Sequence, residues 1–133
     1  MKSLLKVLLY LFPSVSVYVL NLFLTKYGYY QLDWLSSTMH LVGGFVLAWS
    51  LYLFYSWGRK SGVLSDLKTF ELIFMLVGVV AIAGILWEVY EILLDIHLDT
   101  NFIPGAKDTI EDLIMDLVGA LVFSLYLFIP HQD

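Results

Sequence analysis

Four apolar stretches, each long enough to cross a bilayer as a helix, constrain this chain more than any other feature. About 20 helical residues span the roughly 30 Å of hydrocarbon. The stretches run from about Leu4 to Leu24, Leu35 to Trp57, Phe70 to Ile96 and Thr109 to Ile129. The chain is 60% hydrophobic and 14% charged over 133 residues, too much apolar surface for so small a soluble core. The sequence predicts an all-α membrane protein: one domain, residues 1–133, folded as a four-transmembrane-helix bundle. Lys2 and Lys6 ahead of the first run resemble a signal peptide, but the run is too long for one and no small-residue cleavage site follows. It reads as a retained helix.

Short loops join the stretches, Gly58 to Thr69 and His97 to Asp108 being the clearest, the latter with the breaker pair Pro104-Gly105. Tyr27, Tyr29, Tyr30 and Trp34 suit one membrane interface, Tyr55 and Trp57 the other. The N-terminus and second loop hold Lys2, Lys6, Arg59, Lys60 and Lys68, against Lys26 and Lys107 in the first and third loops. That bias predicts both termini cytoplasmic. There is no cysteine, so thiolate metal sites and disulfides are excluded, and the charge of −5 does not suit nucleic acid as a partner.

The acidic residues are unevenly placed. Of 12, only Asp66, Glu71 and Asp133 fall on the expected cytoplasmic side. Asp33, Glu88, Glu91, Asp95, Asp99, Asp108, Glu111, Asp112 and Asp116 fall at or within the opposite half of the last three helices. At about 1.5 Å per residue, His40, Glu88 and Asp116 each lie roughly 10–12 Å inside their helix ends. Glu91 and Asp112 lie about one turn nearer the surface. Helical spacing places Gly78, Ala81, Gly84, Glu88, Glu91 and Asp95 on one stripe. Ser37, His40, Gly44 and Ala48 form a second stripe, and Asp108, Asp112, Asp116, Gly119 and Phe123 a third. Ser14, Tyr18, Asn21 and Thr25 share a face of the first helix. Small residues permit close helix approach, so the stripes are expected to face one another.

Carboxylates at membrane depth cost about 2.5 kcal/mol or more each on insertion scales and repel one another. Protons, a metal, a cationic group or a water-filled cavity must compensate. Carboxylates with one imidazole suit a divalent metal: magnesium, manganese or calcium from the oxygens, zinc or iron from the histidine. The candidate ligands are His40, Glu88, Glu91, Asp112 and Asp116, with Glu88, Asp116 and His40 as candidate catalytic groups and Asp33, Asp95 and Asp108 as rim. Simpler roles compete for some of these residues. Asp108 or Thr109 can cap the fourth helix with Glu111 or Asp112 completing a capping box, and Asp33 can cap the second. Asp99 reads as a solvated loop residue, and His97 and His131 as residues of the membrane edge. His40 can be a neutral histidine bonded to a neighbouring helix, Gly43-Gly44 a packing notch and Pro13 a kink.

Three segments together, Asp33-Trp-Leu-Ser-Ser-Thr-Met-His40, Trp87-Glu-Val-Tyr-Glu91 and Asp108 to Ala120, resemble the YjdF-like family of small bacterial inner-membrane proteins. More distantly they resemble the VanZ-like family, one member of which is linked to teicoplanin resistance. That second family tends to space its Asp and His four apart, where Asp33 and His40 are seven apart here. It also tends to carry Gln and Asn where this chain has Glu91 and Asp116. The resemblance implies a multi-pass protein of the bacterial plasma membrane with a polar site from His40, Glu88, Glu91, Asp112 and Asp116.

The leading functional expectation is a metal-dependent site acting on a lipid or lipid-linked envelope substrate that enters from the outer leaflet. Cation or proton transport is one alternative, although the acids stop in one half and no repeat is visible. A non-catalytic lipid-binding or immunity-type protein is another, and a purely structural cluster gluing the helices together is the third.

Overall fold

Hydrogen bonding, not hydropathy, decides where these helices stop. A computed structural model describes residues 2–27, 33–98 and 105–128. They form α1 (Lys2–Lys26), α2 (Asp33–Lys60), α3 (Thr69–Leu98) and α4 (Ala106–Tyr126), with no strand among the described residues. Three of the four are long and apolar enough to cross a membrane. The 21-residue α4 falls outside that group because its first half is rich in charge, with Lys107, Asp108, Glu111, Asp112 and Asp116. At 1.5 Å per residue it is nevertheless about 31 Å long. Among the expected interface and loop residues, Tyr29, Tyr30, Asp99, Pro104 and His131 lie outside the described residues, as does the Asp33 side chain.

The expected end of α2 at Trp57 is corrected to Lys60. Apolarity fades at Trp57 because the chain reaches the polar edge, but the helix continues until a residue can adopt the left-handed conformation. Gly62 does so, with φ 73°. The Val63 N–H donates to the Gly58 carbonyl (2.9 Å) and the Gly62 N–H to the Arg59 carbonyl (3.1 Å), which together make a Schellman cap. Gly62→Ala is expected to lower stability by about 1 kcal/mol, read as a lower midpoint in thermal unfolding in detergent. On the other side of this turn, the Glu71 carboxylate accepts from the Lys68 N–H (2.8 Å), the reach-back half of a capping box that starts α3.

Tyr55 also departs from its expected role. It is 6% exposed and does not face an interface. Its hydroxyl accepts from the Leu67 N–H (2.8 Å) and donates to the Ser65 carbonyl (3.5 Å), clamping the α2–α3 loop. Tyr55→Phe should cost about 1 kcal/mol and speed proteolysis within residues 61–68, checked by limited digestion. Two exposed ion pairs, Arg59 with Asp66 (3.4 Å) and Lys107 with Glu111 (3.4 Å), contribute little.

The fourth helix starts and ends three residues earlier than expected, and the capping assignment changes with it. Gly105 is the N-cap and offers no side-chain cap bond, so neither Asp108 nor Thr109 caps α4. Asp108 lies within the first turn, where a negative charge favours the helix dipole. Glu111 instead pairs with Lys107. Helix α1 runs unbroken through Pro13.

Helix α2 is the hub: α1, α3 and α4 all pack on it, and α3 also packs on α4. Among the described residues, no backbone contact joins α1 to α3 or α4. Contact between α2 and α4 is closest, because both present glycine to the other's backbone. A Cβ at Gly44 would strike the Asp116 carbonyl, and one at Gly119 would strike the Leu41 carbonyl and meet the Phe45 nitrogen at 2.7 Å. Gly43 meets nothing within 4 Å, so the notch is Gly44 alone.

The interior divides along the helix axes. Toward the α2–α3 loop it is apolar, with Ala48, Leu72, Leu76, Val80, Ala120 and Phe123 buried. The two buried serines there are satisfied, Ser50 by Ser14 (2.9 Å) and Ser124 by the Ala120 carbonyl (2.8 Å). The other half buries His40, Glu88, Asp112 and Asp116. Large apolar side chains such as Phe12, Phe70, Phe74, Ile82 and Leu86 are exposed outside, as suits a helix surface solvated by lipid.

Candidate functional site

Helices α2, α3 and α4 contribute to the site by four-residue spacing. On α2, Ser36, His40 and Gly44 follow one another turn by turn. On α3 the series is Gly84 and Glu88, and on α4 Asp108, Asp112 and Asp116. The glycines matter because they admit a neighbour. Asp116 is held between Gly44, against its backbone, and Gly84, where a Cβ would stand 2.5 Å from its Oδ2. The carboxylate therefore reaches the bundle interior although α4 is closely packed.

The imidazole of His40 is the centre of the cluster, 8% exposed. Its Nδ1 lies 3.2 Å from Asp116 Oδ2. Its Nε2 faces the other way, 3.6 Å from Asp112 Oδ2 and 3.8 Å from Glu88 Oε1. The Ser36 hydroxyl donates to Asp112 Oδ2 (2.9 Å) and fixes that carboxylate. Ligand atoms of His40, Glu88 and Asp112 all lie within 4.8 Å of one another.

Both oxygens of Glu88 and Oδ1 of Asp112 are buried without a hydrogen-bond partner. Glu88 is 4% exposed and Asp112 2%. A buried carboxylate oxygen left unpaired costs at least about 1–3 kcal/mol, more if charged. Two ligands about 2.1 Å from one small cation lie no more than about 4.2 Å apart. The 3.6 and 3.8 Å separations fit within that limit. The donor set, the burial and the orphaned Glu88 oxygens fit a divalent cation at the Nε2 side of His40, where the Asp112 oxygen that faces it, Oδ2, also accepts from Ser36.

The structure distributes the expected residues unequally. His40, Glu88 and Asp112 converge, and Asp116 stands on the opposite edge of the ring. Glu91 lies outside the converging group: one turn beyond Glu88, it accepts from the Trp87 indole N–H (2.9 Å). Asp95 and Asp108 are half-buried, and each has an interaction of its own. Sequence reasoning missed Ser36, placing Ser37 on the stripe. The signal was present, since Ser36 and not Ser37 precedes His40 by four residues.

Beside the cluster lies a cavity of about 190 Å³ to which all four helices contribute. Tyr18 and Asn21 of α1, Met39 and Gly43 of α2, and Ala83 and Trp87 of α3 line it, with His40 and Asp116 at its polar end. Tyr18 and Trp87 meet edge to face, ring centres 5.9 Å apart, and join α1 to α3 across it.

No curated protein and no solved structure matches this chain. The family comparison agrees with the YjdF-like resemblance and does not bear on the VanZ-like one. A buried polar cluster on α2, α3 and α4, the first two long and apolar enough to cross a bilayer, is thus set in a known family context: over residues 1–133 the chain matches the family described as predicted membrane protein (DUF2238), and it belongs to that family.

Proposed function

We propose that this protein is a divalent-cation-dependent membrane protein whose His40–Glu88–Asp112 cluster acts on a lipid or lipid-linked envelope substrate. The observation that carries this reading is the convergence of three buried ligand-bearing side chains, of which Glu88 has both oxygens without a hydrogen-bond partner and Asp112 one. In it, His40 Nε2, Glu88 and Asp112 hold the ion. Asp116 is the partner of the other ring nitrogen, fixing the ring's orientation as carboxylates do for metal-bound histidines. When bound, such an ion polarises a phosphoryl or carbonyl oxygen, or lowers the pKa of a water.

The chain's own groups would do the rest. Glu91, tethered by Trp87 about one turn away, is placed to move a proton at the outward edge of the cluster. The apolar half below, closed by Ala48, Leu76, Val80, Ala120 and Phe123, excludes water. That closed floor favours a one-sided pocket over a transport path. In this reading α4 spans the membrane with the other three helices, and its acids are sheltered by α2 and α3. The Lys and Arg bias then puts both termini on the cytoplasmic side of a bacterial plasma membrane and the cluster in the outer half.

The test is metal content. Protein extracted in mild detergent should carry, or take up on titration with Mn²⁺ or Zn²⁺, one ion per chain. Absence of stoichiometric metal in both measurements would sink the reading.

A further inference from the structure

The cavity beside the cluster has features that the metal reading does not use. It runs from Met39 to Leu47 along α2 and from Val80 to Trp87 along α3, roughly 10–12 Å at 1.5 Å per residue. Its walls are apolar except at one end, where His40, Asp116 and Asn21 gather. The Ser14 hydroxyl at the other end is spent on Ser50. A water-filled cavity of this length would need polar partners along its walls, and it has few.

Its boundary is equally distinctive. On the α1 side no backbone contact closes it, and the Tyr18–Trp87 ring pair bridges the seam. None of α1's 19-residue apolar window is buried, and the backbone of this helix approaches α2 alone. The seam lies within the lengths of α1 and α3 that suit a membrane. What stands outside it there is lipid hydrocarbon.

We propose that this cavity is a side-opening slot for one acyl chain of a membrane phospholipid, drawn in between α1 and α3 with its head group at the His40–Asp116 end. The slot rests on the proposed function for its purpose, since it gives the cluster a phospholipid as substrate class. The Tyr18–Trp87 pair is the gate across the seam. Gly43 and Ala83 set the bore: they line it from α2 and α3, and a Cβ at Gly43 would enter open space. A Cβ at Gly43 meets no atom within 4 Å, unlike one at Gly44, so a larger side chain there extends into the slot.

The experiment uses the full chain in nanodiscs containing a phosphatidylcholine with a diazirine about eight carbons along one acyl chain, the length that the slot holds. Illumination followed by residue-level mass spectrometry should find labelling at Leu47, Val80 and Ala83 in the wild type. Gly43→Leu should cut labelling at those residues at least fivefold while leaving the outward-facing Ile82 and Leu86 unchanged. Ala83→Leu, from the opposite wall, should do the same at Leu47 and Val80. Mn²⁺ titration of the same variants keeps the two proposals apart. Slot labelling that is lost in the variants while the wild type binds no Mn²⁺ upholds the slot and removes the metal. Mn²⁺ binding with no slot labelling in the wild type, or labelling unaltered by both substitutions, overturns the slot, as does a second copy of the chain cross-linked there.

Discussion

Glu88→Gln is expected to abolish divalent-metal uptake, with a larger loss than any change to a residue outside the converging group. Glu88 offers two buried oxygens with no hydrogen-bond partner, and among the described residues no second carboxylate from α3 joins the group at the Nε2 side of His40. Asp112→Asn should act similarly. Asp116→Asn should weaken binding by roughly 10–100-fold, the usual cost of losing the partner that orients a ligating histidine. Glu111→Gln, an exposed residue paired with Lys107, should leave affinity unchanged. Titration calorimetry with Mn²⁺ or Zn²⁺ measures all four.

A stability measurement distinguishes this from a structural cluster. If the ion binds, wild type at 100 times Kd gains about 2.7 kcal/mol against unfolding and Glu88→Gln gains nothing. Without metal, Glu88→Gln should unfold no earlier than wild type, because it removes a buried acid whose two oxygens have no hydrogen-bond partner. Lower stability of Glu88→Gln without metal, with no metal response in either protein, would leave the cluster as helix glue.

The second large effect concerns the contact between α2 and α4. Gly44→Ala and Gly119→Ala each place one methyl against another helix's backbone, which cannot move aside as a side-chain tip can. Each should destabilise by roughly 1–3 kcal/mol or more and lower the thermal midpoint in detergent. Gly43→Ala, one residue away but facing open space, should stay within about 0.5 kcal/mol of wild type. Loss of metal uptake should accompany Gly44→Ala, because Gly44 seats Asp116. Two adjacent glycines with opposite outcomes would show that the α2–α4 contact is set by backbone approach at one of them.

Much of this arrangement is legible in the order of the residues. Apolar length places the four helices to within about three residues at most of their ends. Periodicity puts His40, Glu88, Asp112 and Asp116 on inward faces, and they are buried. Both signals are local consequences of the helix repeat and of the cost of exposing polar groups to lipid. The ends are less legible. The stop of α2 depends on the left-handed turn at Gly62, beyond the last aromatic residue of the helix, and α4 begins at Gly105 without a side-chain cap.

The acidic half of the bundle divides into roles by tertiary contact. By itself the sequence determined that acids and one histidine would share a depth and face inward, because spacing along a helix fixes both. It set Asp116 level with His40 and Glu88 and Asp112 about one turn nearer the surface, but it could not say which nitrogen of the ring each would meet. Only the packing of α2 against α4 decided that Asp116 meets Nδ1 of His40 while Asp112 joins Glu88 at Nε2. Glu91, by contrast, meets Trp87 four residues back on its own helix, and the cavity between α1 and α3 depends on tertiary packing. The physical reason is that periodicity fixes direction about one helix axis, whereas the distance between two helices depends on what fits between their backbones. Here that is the hydrogen atom of Gly44 and the hydrogen atom of Gly119.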